Sequence, residues 1–266
     1  MDSPHAQRVA LGVEYDGTAY CGWQIQPHAP SIQHRLNEAI GRVADESIAC
    51  IGAGRTDTGV HASGQVVHFD TNASREPRSW LLGINSNLPD DISVLNTWSV
   101  SDAFHARYSA IGRAYRYVIL NRRVRSALLR HRAWWVRDRL DIAAMRTAAA
   151  SLIGEHDFSS FRAAGCQAHT AVRTIRRLDI NCDGDLIVLT CEADAFLHHM
   201  VRNLVGSLVR VGKGEADAVW LARVLAQRDR RVAGITAPAC GLTLTRVDYP
   251  EPFEFVVTPP RNTIDD

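Results

Sequence analysis

Lysine is almost missing from this chain of 266 residues: Lys213 stands alone among 30 basic side chains, and the other 29 are arginines. That bias can be genomic, and it also supplies planar guanidinium forks that match phosphate oxygens two at a time. Paired cysteine motifs are missing too. The six cysteines, at positions 21, 50, 166, 182, 191 and 240, have neither a C-x-x-C pair nor any other zinc spacing. This suits thiols packed in the core of a protein from a reducing compartment. Long apolar runs are absent. The longest, Met200 to Val211, is broken by Arg202, Asn203 and Arg210, and residues 1–8 lack the apolar centre of a secretory leader. The sequence therefore predicts a cytoplasmic protein without a membrane segment.

Two nucleotide-binding loops are excluded next. Gly52-Ala53-Gly54-Arg55 lacks the third glycine of a dinucleotide fingerprint and is not followed by a helical pattern. Gly212-Lys213-Gly214 puts Gly214 where a P-loop needs Ser or Thr, and Ser207 where it needs Gly. ATP and NAD sites are therefore not indicated.

What is present is an ordinary globular composition, 46% hydrophobic and 22% charged, with an uneven charge distribution. Residues 1–106 carry 6 Arg and 12 acids, whereas residues 107–146 carry 11 Arg and 2 acids. The remaining 120 residues hold 13 basic and 15 acidic side chains, so one basic segment stands out against a total of +1. Such a segment is either a solvated surface or a nucleic-acid footprint.

Apolar periodicity gives the order of elements. Val9, Leu11, Val13 and Tyr15 alternate, the pattern of a strand with one buried face, and Ser31 caps a helix with Ile32, Leu36, Ile40 and Val43 in its stripe. Strands at 47–51 and 65–69, a helix from Pro77 through Ile84, and a strand at 92–98 follow. That order, β-α-β-β-α-β, is the ferredoxin-like arrangement. It recurs with a strand at Tyr115, Tyr117 and Ile119, a helix through Ile142, Met145, Ala149 and Leu152 ended by Gly154, and strands at 175–182 and 186–192 around Asp183-Gly184. Helices near 197–211 and 217–227 and a strand at 242–247 complete it. The expectation is an α+β protein of two similar halves, 1–105 and 106–266.

The stretch from Ile51 to Phe69, IGAGRTDTGVHASGQVVHF, concentrates the chemistry. His61 and His68 are seven apart with no third ligand at a fitting spacing, so a hydrogen-bonded turn histidine and a strand histidine are expected, and no metal. Asp57 reads as an Asx-turn residue beside glycine or as a presented carboxylate. Its flanking glycines allow backbone to approach a ligand closely, and Arg55 can pair an anion or fill a stacked gap.

Gly52 to Ala62, GAGRTDTGVHA, resembles the signature loop of the TruA family of tRNA pseudouridine synthases. Matches continue through Tyr15-Asp16-Gly17-Thr18, Gly22-Trp23-Gln24, Gly64-Gln65-Val66, Leu88-Pro89 and Phe104-His105-Ala106-Arg107. They resume at Arg113-Ala114-Tyr115-Arg116-Tyr117, His156-Asp157-Phe158, Met200-Val201-Arg202, Ala237-Pro238 and Gly241-Leu242. Any one is weak; their order and spacing are specific. Thr58 departs from the family's usual Ala, and Trp134-Trp135 from a pair with tyrosine.

The resemblance implies two ferredoxin-like halves sharing an extended, mainly antiparallel sheet with an active-site cleft between them. It further implies a homodimer in which one tRNA touches both subunits, no cofactor, and isomerisation of uridine to pseudouridine at positions 38 to 40 of the anticodon stem-loop. Asp57 is then the catalytic carboxylate, Tyr115 stacks on the uracil, Arg202 pairs with the carboxylate, Leu242 packs near the base, and Arg55 fills the gap left by the extruded uridine. On spacing alone Tyr115 reads equally as a core aromatic, Arg202 as a snorkelling side chain and Leu242 as a core leucine. The Arg-rich segment at 107–146 is expected to face phosphates rather than specify bases. Two other functions fit parts of the pattern. One is a non-catalytic RNA-binding module on the same duplicated fold. The other is a nucleoside hydrolase with Asp16 or Asp70 as its second acid.

Overall fold

Gln7–Tyr15 forms β1 because Val9, Leu11, Val13 and Tyr15 cannot all be hidden in a solvent-facing conformation, yet its burial is not one-sided. In the computed structural model, which describes residues 7–253 and Val257, every residue from Val9 to Val13 is buried. The second face carries Ala10 and Gly12, and the missing side chain at Gly12 admits Trp98 and Val257, whose atoms lie 3.1 and 3.0 Å from where a Cβ would sit. The alternation predicted one buried face; small residues on the other let it be covered as well.

The chain is α+β with predominantly antiparallel strands, and it falls into two compact units: residues 7–111 with the described part of 244–257, and residues 112–243. In the first unit β1 pairs antiparallel with β4 (Ile92–Val100) on one side and β3 (His61–Thr71) on the other. A short β2 (Ile51–Gly52) also pairs with β3. Residues 47–50, expected in a strand, are irregular. The reason is visible at Cys50, whose N–H and C=O are taken by the side chains of Asn37 and Gln33 at 2.9 and 2.8 Å rather than by a ladder. Ser31 caps α1 (Ile32–Ala44), its hydroxyl accepting from His34 N–H, and Ile32, Leu36 and Ile40 are fully buried. Pro77 opens α2 (Pro77–Asn85) as the first-turn proline that costs no hydrogen bond. Its Trp80 packs edge-on against Phe69 of β3 at 5.3 Å.

In the second unit β5 (Gly112–Asn121) pairs with β9 (Leu186–Ala193), β9 with β8 (Val172–Asp183), and β8 with β7 (Gly154–Asp157), all antiparallel. Gly184 turns the β8–β9 hairpin at φ 54°. Two strands were not anticipated. The first, β6 (Trp134–Val136), is only three residues long and runs parallel to β5; the second, β7, starts at the glycine read as the end of a helix. The helix itself, α3 (Ile142–Ala150), stops four residues earlier. Helix α4 (Met200–Gly212) is buried at all but two of its residues, Arg202 and Arg210, and α5 (Trp220–Gln227) follows.

The closing strand, β10 (Leu242–Asp248), contributes Leu242 and Thr243 to the second unit, and from Leu244 onward it belongs to the first, beside β3. The repeated strand and helix pattern puts the junction at 105/106 and all of 244–266 in the second half. The grouping differs because β10 supplies β3 with a neighbour, closely enough that a Cβ on Gly64 would lie 2.1 Å from the Thr245 carbonyl oxygen.

Candidate active site

Residues 53–60 join β2 to β3, and their backbone is held along its length. Ala53 N–H donates to the Val66 carbonyl at 2.8 Å. The wholly buried Gln65 accepts from Gly54 N–H on Oε1 at 3.3 Å and donates Nε2 to the Gly54 carbonyl at 2.7 Å. Thr56 is buried, its hydroxyl 2.9 Å from the Tyr15 hydroxyl, and its carbonyl accepts from Trp23 N–H at 3.0 Å. Burial, only partly offset by the bonds to Thr56 and Gln65, pushes the Tyr15 phenol up to about 12, so it stays neutral.

Asp57 sits at the corner of this clamped stretch. Its carbonyl accepts from Val60 N–H at 3.1 Å, closing a turn whose third residue, Gly59, has φ 77°. That is the glycine a type II turn demands. With Thr56 turned inward, Arg55 and Thr58 are exposed and Asp57 is half-buried. The loop is therefore a turn and a presentation device at once. Neighbouring backbone comes so close that side chains are forbidden: a Cβ on Gly22, at φ 93°, would stand 2.7 Å from the Thr56 carbonyl oxygen.

The two histidines serve the frame. His61 is buried and its Nδ1 accepts from Gly17 N–H at 3.1 Å; His68 is buried and its Nδ1 accepts from Ala106 N–H at 3.1 Å. Burial, with His105 and Arg8 nearby, lowers His68 to about 4. The two acids considered as hydrolytic partners are also committed. Asp70 takes a bidentate pair of bonds from Arg8 at 2.6 and 2.8 Å, and Asp16 accepts from Thr18 N–H at 3.0 Å as the cap of a short 3-10 turn.

In the second unit, Tyr115 lies on β5, buried, with Phe196 edge-on at 5.0 Å. Arg202, on the first turn of α4, donates Nε to the Ala237 carbonyl at 2.8 Å, while Ala237 N–H donates to the Arg202 carbonyl at 3.1 Å. The segment they anchor leads through Pro238, whose carbonyl accepts from the Tyr117 hydroxyl at 2.7 Å, to the buried Leu242. Arg202, the segment 237–242 and Tyr117 of β5 are thus linked by hydrogen bonds. Burial raises both the Tyr117 phenol and the Cys240 thiol, against the opposing pull of the Arg202 charge. The cysteines are not uniformly core residues: Cys50 and Cys191 are buried and Cys182 is exposed, and none of the six is disulfide-bonded.

Behind Arg202, Asn203 is fully buried, donating Nδ2 to the Phe161 carbonyl at 2.8 Å and accepting on Oδ1 from Arg230 and Thr236 at 3.0 and 2.6 Å. Ser207 Oγ accepts from Gly234 N–H at 2.9 Å. Asn203 and Ser207 are given no supporting role by the sequence, and Gln65 and Tyr15 around the loop enter there only as members of motif matches. A polar residue within an otherwise apolar helix was the available sign for Asn203 and Ser207.

The family model described as tRNA pseudouridine synthase matches residues 12–109 and 148–250. This chain belongs to that family. A tRNA pseudouridine synthase A from Hydrogenovibrio crunogenus is 50% identical over 258 residues, covering 97% of each chain. One from Colwellia psychrerythraea is 50% identical over 247 residues, 93% of this chain and 95% of its own. One from Citrobacter koseri is 47% identical over 259 residues, 97% of this chain and 96% of its own. Family membership makes the chain an isomerase that converts uridine in tRNA to pseudouridine. The family match takes in Arg55, Asp57, Arg202 and Leu242, whereas Tyr115 falls between its two matched segments. Among the described residues no helix is long and apolar enough to cross a membrane.

Proposed function

We propose that this synthase modifies uridines 38 to 40 of the tRNA anticodon stem-loop with Asp57 as its single essential carboxylate. The observation that carries the choice of Asp57 is the clamp on its loop: buried Gln65, Thr56 and Tyr15 fix the backbone on one side, and the half-buried carboxylate is left at the turn. A group that must meet one atom of a substrate needs such pre-organisation, which an RNA surface contact does not.

The reaction breaks the N1–C1′ bond, turns the uracil and rejoins it through C5. Positive charge grows at the sugar as the bond breaks, and a carboxylate stabilises or traps it. No redox change and no donated group are involved, so one acid and no cofactor suffice. A uridine within a stem must first leave the stack at a cost of a few kcal/mol. Arg55, exposed at the loop, takes the vacated space; Tyr115 stacks on the uracil, Leu242 packs near it, and Arg202 supplies the cation that pairs with the carboxylate. The engagement of Asp16 and Asp70 in structural bonds disfavours hydrolysis by a second acid.

The repeated strand and helix order supports two ferredoxin-like halves, and the family resemblance supports a homodimer, acting in the cytoplasm, in which one tRNA touches both subunits. Sedimentation equilibrium tests the dimer. The activity is tested with unmodified tRNA tritiated at uridine C5. The wild type is expected to release tritium and Asp57→Ala none. Silence from the wild type would leave the non-catalytic RNA-binding module, and liberated uracil would mean hydrolysis.

A further inference from the structure

The second unit carries a cleft of about 620 Å³ whose lining includes Arg122, Arg123, Arg137 and Arg139, with Asp138 as its one acid. The cleft is built by hydrogen bonds that fix its walls. Asn121, at the end of β5, donates Nδ2 to the Val136 and Asp138 carbonyls at 3.0 and 2.7 Å and accepts from Leu140 N–H at 3.1 Å. The stretch bearing Arg137 and Arg139 is thereby pinned. Asn121 N–H donates to the Asp185 carbonyl at 2.7 Å, which ties in the β8–β9 turn.

The charges in the cleft are not used up internally. Arg122 donates Nε to the Val124 carbonyl at 2.7 Å and lies 3.6 Å from the Asp185 carboxylate, an exposed pair of little energetic weight. Among the described residues Arg123, Arg137 and Arg139 make no side-chain hydrogen bond or ion pair. Asp138 faces Lys213 at 3.8 Å, so the single acid is itself countered. A solvated arginine is common anywhere on a surface. Four guanidiniums lining one concavity, with the acid occupied, create a focused positive field that gains only from an anion. Forks carried on two different stretches of backbone suit successive phosphates of a chain better than one small anion.

We propose that this cleft binds the phosphodiester backbone of RNA, a proposal that rests on the reading of tRNA as substrate. It acts through shape and charge and reads no base. Binding of unmodified tRNA to the full-length chain is measured by filter retention across a salt series. Arg123→Gln, Arg137→Gln and Arg139→Gln are each expected to weaken binding roughly 2- to 10-fold near ~0.1 M salt and to lower the salt slope by about 1, with the triple variant additive. Asp138→Asn, which keeps the backbone bonds to Asn121, is expected to tighten binding. An unchanged affinity and slope in the triple variant would overturn the proposal. A second readout needs no variant to fold: exposed Cys182 lines the cleft, so its alkylation, followed by peptide mass spectrometry, is expected to slow several-fold under saturating tRNA. Equal protection by inorganic phosphate at matched phosphate concentration would make the cleft a small-anion site and reject the RNA assignment. None of these measurements requires chemistry, so a wild type that binds tRNA here but releases no tritium fails as an isomerase alone. A wild type that binds no tRNA removes the reading beneath both.

Discussion

Arg202 and Ala237 hydrogen-bond each other twice, once from the guanidinium Nε to the Ala237 carbonyl and once from the Ala237 N–H to the Arg202 carbonyl. The pairing joins the first turn of α4 to the segment that leads into β10, so the arginine's direction is fixed by the fold before any substrate arrives. Arg202→Ala is expected to cost about 1–3 kcal/mol in urea unfolding, because the Ala237 carbonyl loses its donor, and also to abolish tritium release. Arg202→Lys restores charge without the fork. Recovery of stability together with activity in that variant would show that charge alone is needed.

Asp57→Asn preserves the size of the side chain, and the loop bonds made by the Asp57 carbonyl, Thr56 and Gly54 do not use its carboxylate. Near-UV circular dichroism is expected to match the wild type while turnover falls by on the order of 10⁴-fold, the scale seen when an enzyme loses its reacting group. Residual activity within about tenfold of wild type would remove Asp57 from the chemistry.

Gln65→Leu tests the clamp. It strips both the donor and the acceptor that serve Gly54 in a buried setting. An expected loss of about 2–4 kcal/mol follows from two unsatisfied backbone groups, read as a lower urea midpoint at constant slope. Turnover should fall further than tRNA affinity, because the loop that presents Asp57 loosens.

Arg55→Ala separates gap filling from phosphate contact. Expected is a larger drop in turnover than in tRNA binding, because in the proposed role the side chain acts only once the base has left the stack. Equal losses in both would identify an ordinary backbone contact.

His68 gives a pH signature. Its folded value of about 4 lies below the ordinary 6.5, so the unfolded chain takes up a proton that the folded chain refuses. The contribution is fully present above about pH 6.5 and is lost as pH falls toward 4, amounting to about 3 kcal/mol. His68→Asn, which keeps an acceptor for Ala106 N–H, should flatten that part of the profile; the difference between the two urea-stability curves checks it.

Much of this was legible in the sequence, and the exceptions have physical causes. Ser31 and the stripe of Ile32, Leu36 and Ile40 announced α1 because local capping and burial agree. β6, three residues long, is too short to show a period. The 47–50 stretch looked like a strand by residue type, yet its backbone groups bond to side chains of α1 that lie more than ten residues away in sequence. At the site, the glycines and Asp57 stood out by composition. Gln65, Asn203 and Tyr15 did not, because what makes them matter is burial with exact partners, a property of the folded chain.

The assignment of β10 from Leu244 onward to the first unit has a consequence for biosynthesis. β3 gains its neighbour on that side from residues that leave the ribosome more than 170 positions after its own. A nascent chain stopped anywhere before Leu244 has that edge of β3 covered by β2 only at Val67 and His68, and the rest is a ready template for pairing with another molecule. The amino-terminal lobe is thus translated first and completed last, and any fragment lacking the late strand is exposed to aggregation throughout that interval.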